Sequence, residues 1–145
     1  MDILLTILDV FQKNRKFALT EIVEDEISAI EKLKQIYFHN FQNFAVNPTL
    51  TAVIFSEEIF KNDPRLSEKV LSIMKNNQED IRDILENGQR NKEIRSDIPV
   101  KQLSMIILGS LRLFITQWRL NNFSFDLEDE GNDLWDSIKK IVSPA

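Results

Sequence analysis

Three glycines and four prolines in 145 residues leave this chain little punctuation, and almost all of it falls where one apolar-periodic stretch gives way to the next. Tight turns and strand ends depend on these two residues more than on any others. No Asn-Gly or Asp-Gly is flanked by alternating apolar residues, so no hairpin is signalled locally. Between the breaks, apolar residues recur at three and four, the repeat of a helix with one buried face. The chain therefore reads as a single all-α domain over residues 1–145, a bundle of five to six helices. For a mass of 17.0 kDa, about 70% of the unfolded surface can be buried, enough for a core without metal or disulfide.

A first helix is expected over about 2–23, with Leu4, Leu8, Phe11, Ala18 and Ile22 on one stripe. Ser28 and Glu31 have the spacing of a capping box. They open a second helix with Ile30, Leu33, Tyr37, Phe41 and Phe44 inward. Asn47-Pro48 ends that helix and opens a third, about 49–61. Residues 50–55 have a strand-like composition, but the proline-capped start favours helix. Asp63-Pro64 repeats the signal for a long helix striped by Leu66, Val70, Ile73, Met74, Ile81, Ile84 and Leu85, with its stop expected near Gly88. After a polar connector, the stretch 100–121 is apolar around most of its circumference. Such a helix must be covered on several sides, and one cover is expected from a second subunit. Asp126 caps the last helix, with Leu127, Leu134, Trp135, Ile138, Ile141 and Val142 inward. Its acids cluster at the start and Lys139 and Lys140 at the end, matching the helix dipole.

The charge balance, 18 basic against 23 acidic residues for a net −5, argues against holding nucleic acid by bulk electrostatics. A hydrophobic content of 43% excludes a disordered chain. Zero cysteines exclude a disulfide scaffold, a thiolate zinc site and a cysteine nucleophile, and fit a reducing cytoplasm. Residues 1–5 carry an acid where a secretory signal needs a basic lead-in. The stretch 103–118 is too short and too polar to span a bilayer. A soluble, cytoplasmic protein with no membrane association is expected.

Catalytic chemistry finds no foothold. His39 is the sole histidine, which excludes a multi-histidine metal site. It lies about 200° around its helix from Tyr37, on the side of Gln35 and Gln42, and reads as a solvated surface residue. Glu57 and Glu58 are adjacent, so their side chains diverge and cannot share one substrate atom. No phosphate loop and no nucleophile elbow occurs. No catalytic residue, metal or cofactor is expected, and the protein does not read as an enzyme.

What remains is a surplus of aromatic bulk. Tyr37, Phe38, Phe41, Phe44, Phe55, Phe60, Met74, Phe114 and Trp118 spread over four predicted helices. Each alone reads as core; together they suit an interior that takes a mostly apolar ligand with one polar end. Asn77 and Gln78 sit on the inward side of the long helix, between Met74 and Ile81. They are either a polar helix rim or polar contacts inside a ligand cavity. The candidate ligand-binding set is Tyr37, Phe41, Phe55, Met74, Asn77, Gln78, Phe114 and Trp118. Arg112, the sole charge between Leu103 and Trp118, reads as a solvated or salt-bridged side chain. With Leu108, Gly109, Leu111, Ile115, Leu134, Trp135 and Ile138, it makes up the candidate surface of a two-fold homodimer.

The order of these elements resembles the regulatory domain of tetracycline-repressor (TetR) family transcriptional regulators. The resemblance is carried by Asn47-Pro48, by 55–60, and by Asn62-Asp63-Pro64. It continues through Gly88-Gln89 with Glu93-Ile94-Arg95-Ser96-Asp97, then Leu108-Gly109 and Trp118, then Phe123 to Leu127 with Gly131 and Trp135. One departure is Ile98-Pro99, where the family commonly has an Asp-Pro cap. The resemblance implies a TetR-like C-terminal domain that binds a small-molecule effector and dimerises through the last two helices. The family's N-terminal helix-turn-helix head has no counterpart in these residues, so DNA binding by this fragment is not expected. The alternative is a helical protein-interaction or scaffold domain with no small ligand.

Overall fold

The structure is a computed structural model and describes residues 2–48, 51 and 63–144. Among the described residues, five long α-helices occur: α1 (Asp2–Glu24), α2 (Ala29–Val46), α3 (Pro64–Arg90), α4 (Val100–Leu120) and α5 (Leu127–Val142). No strand occurs among the described residues. The predicted helix over about 49–61, with Phe55, Phe60, Glu57 and Glu58, lies outside them. Only Thr51 of that stretch is described; it is helical and buried, with its hydroxyl on the Pro48 carbonyl at 2.7 Å.

Caps fix the helix starts. Ser28 Oγ accepts from the Glu31 amide at 3.1 Å, closing the predicted box. Asp63 Oδ1 accepts from the Arg65 amide at 2.9 Å, with Pro64 in the first turn. Asp126 accepts from both Glu128 and Asp129. These acceptors satisfy amides that the helix itself leaves open. Pro99 heads α4 with no side-chain cap.

Gly88 does not stop α3, which runs on to Arg90 and ends where Lys92 adopts φ 60°. A Cβ on Gly88 would lie 2.3 Å from Ile94 Cγ1 and 2.8 Å from Ala29 Cβ. The glycine is there for close approach. It lets the connector fold against α3, and the connector then ties three helix ends together. Glu93 Oε2 accepts from the Ala29 amide at the head of α2 (3.1 Å). Gln89 Nε2 donates to the carbonyls of Arg95 and Ile98, both at 3.0 Å. The Arg95 amide donates to the Val142 carbonyl at the foot of α5 (2.9 Å). A two-pronged pair with Asp97, 2.7 Å at each contact, holds the Arg95 side chain in place.

The helices pack around one core. Tyr37 meets Trp135 at 5.5 Å between ring centroids, and Phe41 lies against Gly131, whose added Cβ would be 2.2 Å from the ring. α2 and α5 are therefore antiparallel. Asp9 pairs with Lys69 and Arg15 with Asp80, so α1 and α3 run in the same direction. Phe11 of α1 stacks on Phe44 of α2 at 5.9 Å. α4 closes the bundle, with Leu103, Ile107, Leu111, Ile115 and Trp118 buried on one side.

Candidate functional site

The periodicity that builds the core leaves a gap in it. Phe11 on α1, Asn40 and Phe44 on α2, Ile73, Met74, Asn77 and Gln78 on α3, and Leu108, Leu111 and Arg112 on α4 border a cavity of about 90 Å³. In α2, α3 and α4 these positions recur at intervals of three and four and so share a face. The space suits roughly half a dozen heavy atoms. Phe11, Phe44, Ile73, Met74, Leu108 and Leu111 make its apolar wall; Asn40, Asn77, Gln78 and Arg112 supply hydrogen-bonding groups. The lining therefore combines an oily surface with a few polar groups, the usual make-up of a small-molecule site, and Asn40 and Asn77, which also border an adjoining crevice, form its polar end.

Behind the polar end lies a group that the periodicity argument missed. Arg15 is only 5% exposed, although it belongs to a basic run, Lys13, Arg15 and Lys16, whose other two members are exposed. It stands four residues after Phe11 and seven after Leu8, on the buried stripe, and that spacing was the available signal. Its charge is tolerated because Arg15 Nη2 pairs with the Asp80 carboxylate while Nε donates to Asn77 Oδ1. Burial pushes the Asp80 carboxyl above its usual range, against the pull of Arg15. His39 is half-buried beside this group, in contact with Asn43 at 3.1 Å, rather than fully exposed. Burial first, and the Arg15 charge second, hold its imidazole below the ordinary histidine value.

Of the candidate ligand residues, the structure brings Met74, Asn77 and Gln78 together at the cavity. Tyr37, Phe41 and Trp118 are buried in the core away from it. Burial pushes the Tyr37 phenol up to about 12. Trp118 Nε1 donates to the Phe125 carbonyl at 3.0 Å. Phe114 is half-buried between Phe41 and Phe125, and Phe55 lies outside the described residues. A period of 3.6 marks these aromatics as inward but does not separate packed positions from gap-lining ones. Phe11, Asn40, Phe44 and Ile73 join the cavity instead, selected by which helices face one another.

The candidate dimer residues divide in the same way. Leu111, Ile115, Trp135 and Ile138 are buried within this chain, and Leu108, Leu111 and Arg112 border the cavity. The side chains of Leu111, Ile115, Trp135 and Ile138 pack inside the subunit, while Leu108 and Arg112 are half-buried. Gly109 has open space around it, and Leu134 is half-buried. The apolar surface of α4 is formed instead by Met105 (57% exposed), Leu113 (61%) and Leu120 (68%), with Ile106 beside them and Gly109 between. Among the described residues, no group of three acidic or histidine side chains is placed to hold a metal, and no helix is long and apolar enough to cross a membrane.

The model of the family described as YsiA-like protein, C-terminal region, of the TetR type, matches residues 12–140. The chain belongs to this family. It is thus the effector-binding regulatory type of domain found in TetR-family transcriptional regulators. The fatty acid metabolism regulator protein of Bacillus subtilis (strain 168) is 25% identical over 116 residues, covering 80% of this chain and 59% of that protein. The chain thus spans little more than half the length of that curated relative. Two solved structures have the same fold. FadR from Bacillus subtilis, in complex with stearoyl-CoA, superposes with a TM-score of 0.76 at 21% identity over 92% of this chain and 73% of its own. The fatty acid degradation regulator FadR from Bacillus halodurans gives 0.76 at 18% identity over 92% and 70%.

Proposed function

We propose that this domain binds a fatty acyl compound in the cavity between α1, α2, α3 and α4, and that ligand occupancy controls a transcriptional regulator that works as a homodimer. One observation carries the reading: an apolar gap with a polar end inside a domain whose relative of the same fold was solved in complex with stearoyl-CoA. An aliphatic chain is matched by Phe11, Phe44, Ile73, Met74, Leu108 and Leu111. A carbonyl or other polar terminus is matched by Asn40, Asn77, Gln78 and Arg112. With space for roughly half a dozen heavy atoms, the cavity takes one end of a long acyl group as it stands. Longer chains enter by moving its walls, and Met74, unbranched and flexible, yields at least cost. For the dimer, the supporting feature is the exposed Met105, Leu113 and Leu120 face of α4, an apolar strip of the kind that marks protein contacts.

Thermal denaturation tests the ligand class. Stearoyl-CoA at a hundredfold excess over its dissociation constant should stabilise the chain by about 2.7 kcal/mol. For a chain of this length that is a rise in Tm of about 9 °C, and coenzyme A alone should leave the melt unchanged. The absence of any shift with both stearoyl-CoA and stearate would overturn the acyl reading.

A further inference from the structure

The buried Arg15 and the cavity meet at Asn77. Arg15 borders a crevice of about 10 Å³ that shares Asn40 and Asn77 with the cavity, while the cavity itself does not reach Arg15. The Asn77 amide is thus the wall between a cation and the ligand space. An asparagine amide has one face of each kind: an oxygen that accepts and an NH2 that donates. Which of them a ligand meets depends on what the other is holding. Here Asn77 Oδ1 accepts from Arg15 Nε, and Arg15 has only donors to offer. The guanidinium is itself locked, since a second arm is bound to Asp80 and the side chain is 5% exposed. Turning the amide over would set two donors against each other in a buried place.

We infer that Arg15 is the positioning residue of the cavity's polar end: by holding Asn77 Oδ1 it commits the Asn77 N–H groups to the ligand, so that the site takes apolar molecules ending in an oxygen acceptor and refuses those ending in a donor. The proposal rests on the acyl reading and sharpens it to a carbonyl, ester, thioester or carboxylate end. Two further features point the same way. Arg112, also at the cavity, carries donors only, and no aspartate or glutamate occurs among the cavity residues described. Arg15 Nη1 is buried with no acceptor among the described residues. A second oxygen reaching into the crevice past Asn77 would meet a donor there too.

The test compares two probes with the same ten-carbon chain length, methyl decanoate (acceptor only) and decylammonium (donor only), by titration calorimetry. The unaltered chain should prefer the ester by about tenfold or more, the worth of one hydrogen bond gained against one donor clash. Asn77→Asp keeps the volume and still accepts from Arg15, but shows the ligand an oxygen. The preference should fall by more than about tenfold, pass through unity and favour the amine. Arg15→Lys, which keeps the charge but lacks the fork that grips Asn77 and Asp80 together, should bring the ratio most of the way to unity. An effect of packing alone would weaken both probes and leave their ratio where it was. An unchanged ratio in a folded Asn77→Asp chain that still binds the ester overturns the inference and leaves the acyl reading standing. Failure of the unaltered chain to bind either probe, or stearoyl-CoA, overturns both.

Discussion

At the residue scale, a side chain's environment decides what the same chemical group does. Gly131 lies inside α5, and a Cβ there would meet Phe41 Cε2 at 2.2 Å and Cδ2 at 2.8 Å. The ring cannot retreat, because Phe41 is fully buried and packs on Tyr37 at 4.9 Å. Gly131→Ala gains about 1 kcal/mol of helix propensity and loses more to overpacking. A net loss of about 1–2 kcal/mol, or about 3–6 °C in Tm, is expected from thermal denaturation. His39 gives the pH counterpart. Its folded pKa lies below the ordinary value because burial and Arg15 disfavour the imidazolium, so the folded chain binds fewer protons than the unfolded one. Stability is then complete above the ordinary histidine value and is lost as pH falls through the window below it. Melts recorded from pH 7.5 to 5.5 should show Tm falling with acid, and His39→Gln should flatten the curve. A slope that survives this substitution would assign the effect to another group. This environment is not legible in the sequence, because His39 faces the polar side of α2 by angle. It is half-buried because α1 lies over that side with Arg15.

At the element scale, much of the fold was legible beforehand. Asp63-Pro64, Ser28 with Glu31, and Asp126 are local signals that work through backbone amides two or three residues away, and they set helix starts wherever the rest of the chain goes. Helix ends were less legible. Gly88 reads as a stop because glycine suits a left-handed residue, whereas its place is fixed by Ile94 and Ala29 pressing against it. The cavity residues depended on helix–helix register, which no single helix encodes. The circumference of α4 shows both sides of this. Its apolar excess is real, but Leu111 and Ile115 belong to the core, while Leu113, two residues on from Leu111, faces out. The two leucines should therefore respond differently to a charge. Leu111→Glu places a carboxylate in the interior and should unfold the chain, at a cost of several kcal/mol. Leu113→Glu should leave the circular dichroism and core packing intact and convert a dimer to a monomer in sedimentation. A dimer that survives Leu113→Glu together with Met105→Glu would exclude this face of α4 as the contact.

At the scale of the whole molecule, the parts are arranged so that one space touches four helices. α1 and α3 are tied by Asp9–Lys69 and by Arg15 with Asp80 and Asn77, and α4 carries both the cavity wall at Leu108 and Arg112 and the exposed face at Leu113. A ligand that moves Leu108 outward therefore acts on the same helix that presents the proposed subunit contact, with no intervening element. The charge of the molecule sets a different limit. A net −5 opposes approach to a polyanion, and Arg15, one of the three cations near the start, is spent inside the fold on Asp80. Affinity for duplex DNA depends on cations that displace counterions, and each such contact adds about 0.9 to the slope of log affinity against log salt. With its acids outnumbering its bases 23 to 18, this 145-residue chain should produce no retarded band with duplex DNA in a gel-shift experiment even at low salt, with or without stearoyl-CoA. Binding that appears at low salt and weakens steeply as salt is raised would mean that the bundle itself presents a phosphate-contacting surface.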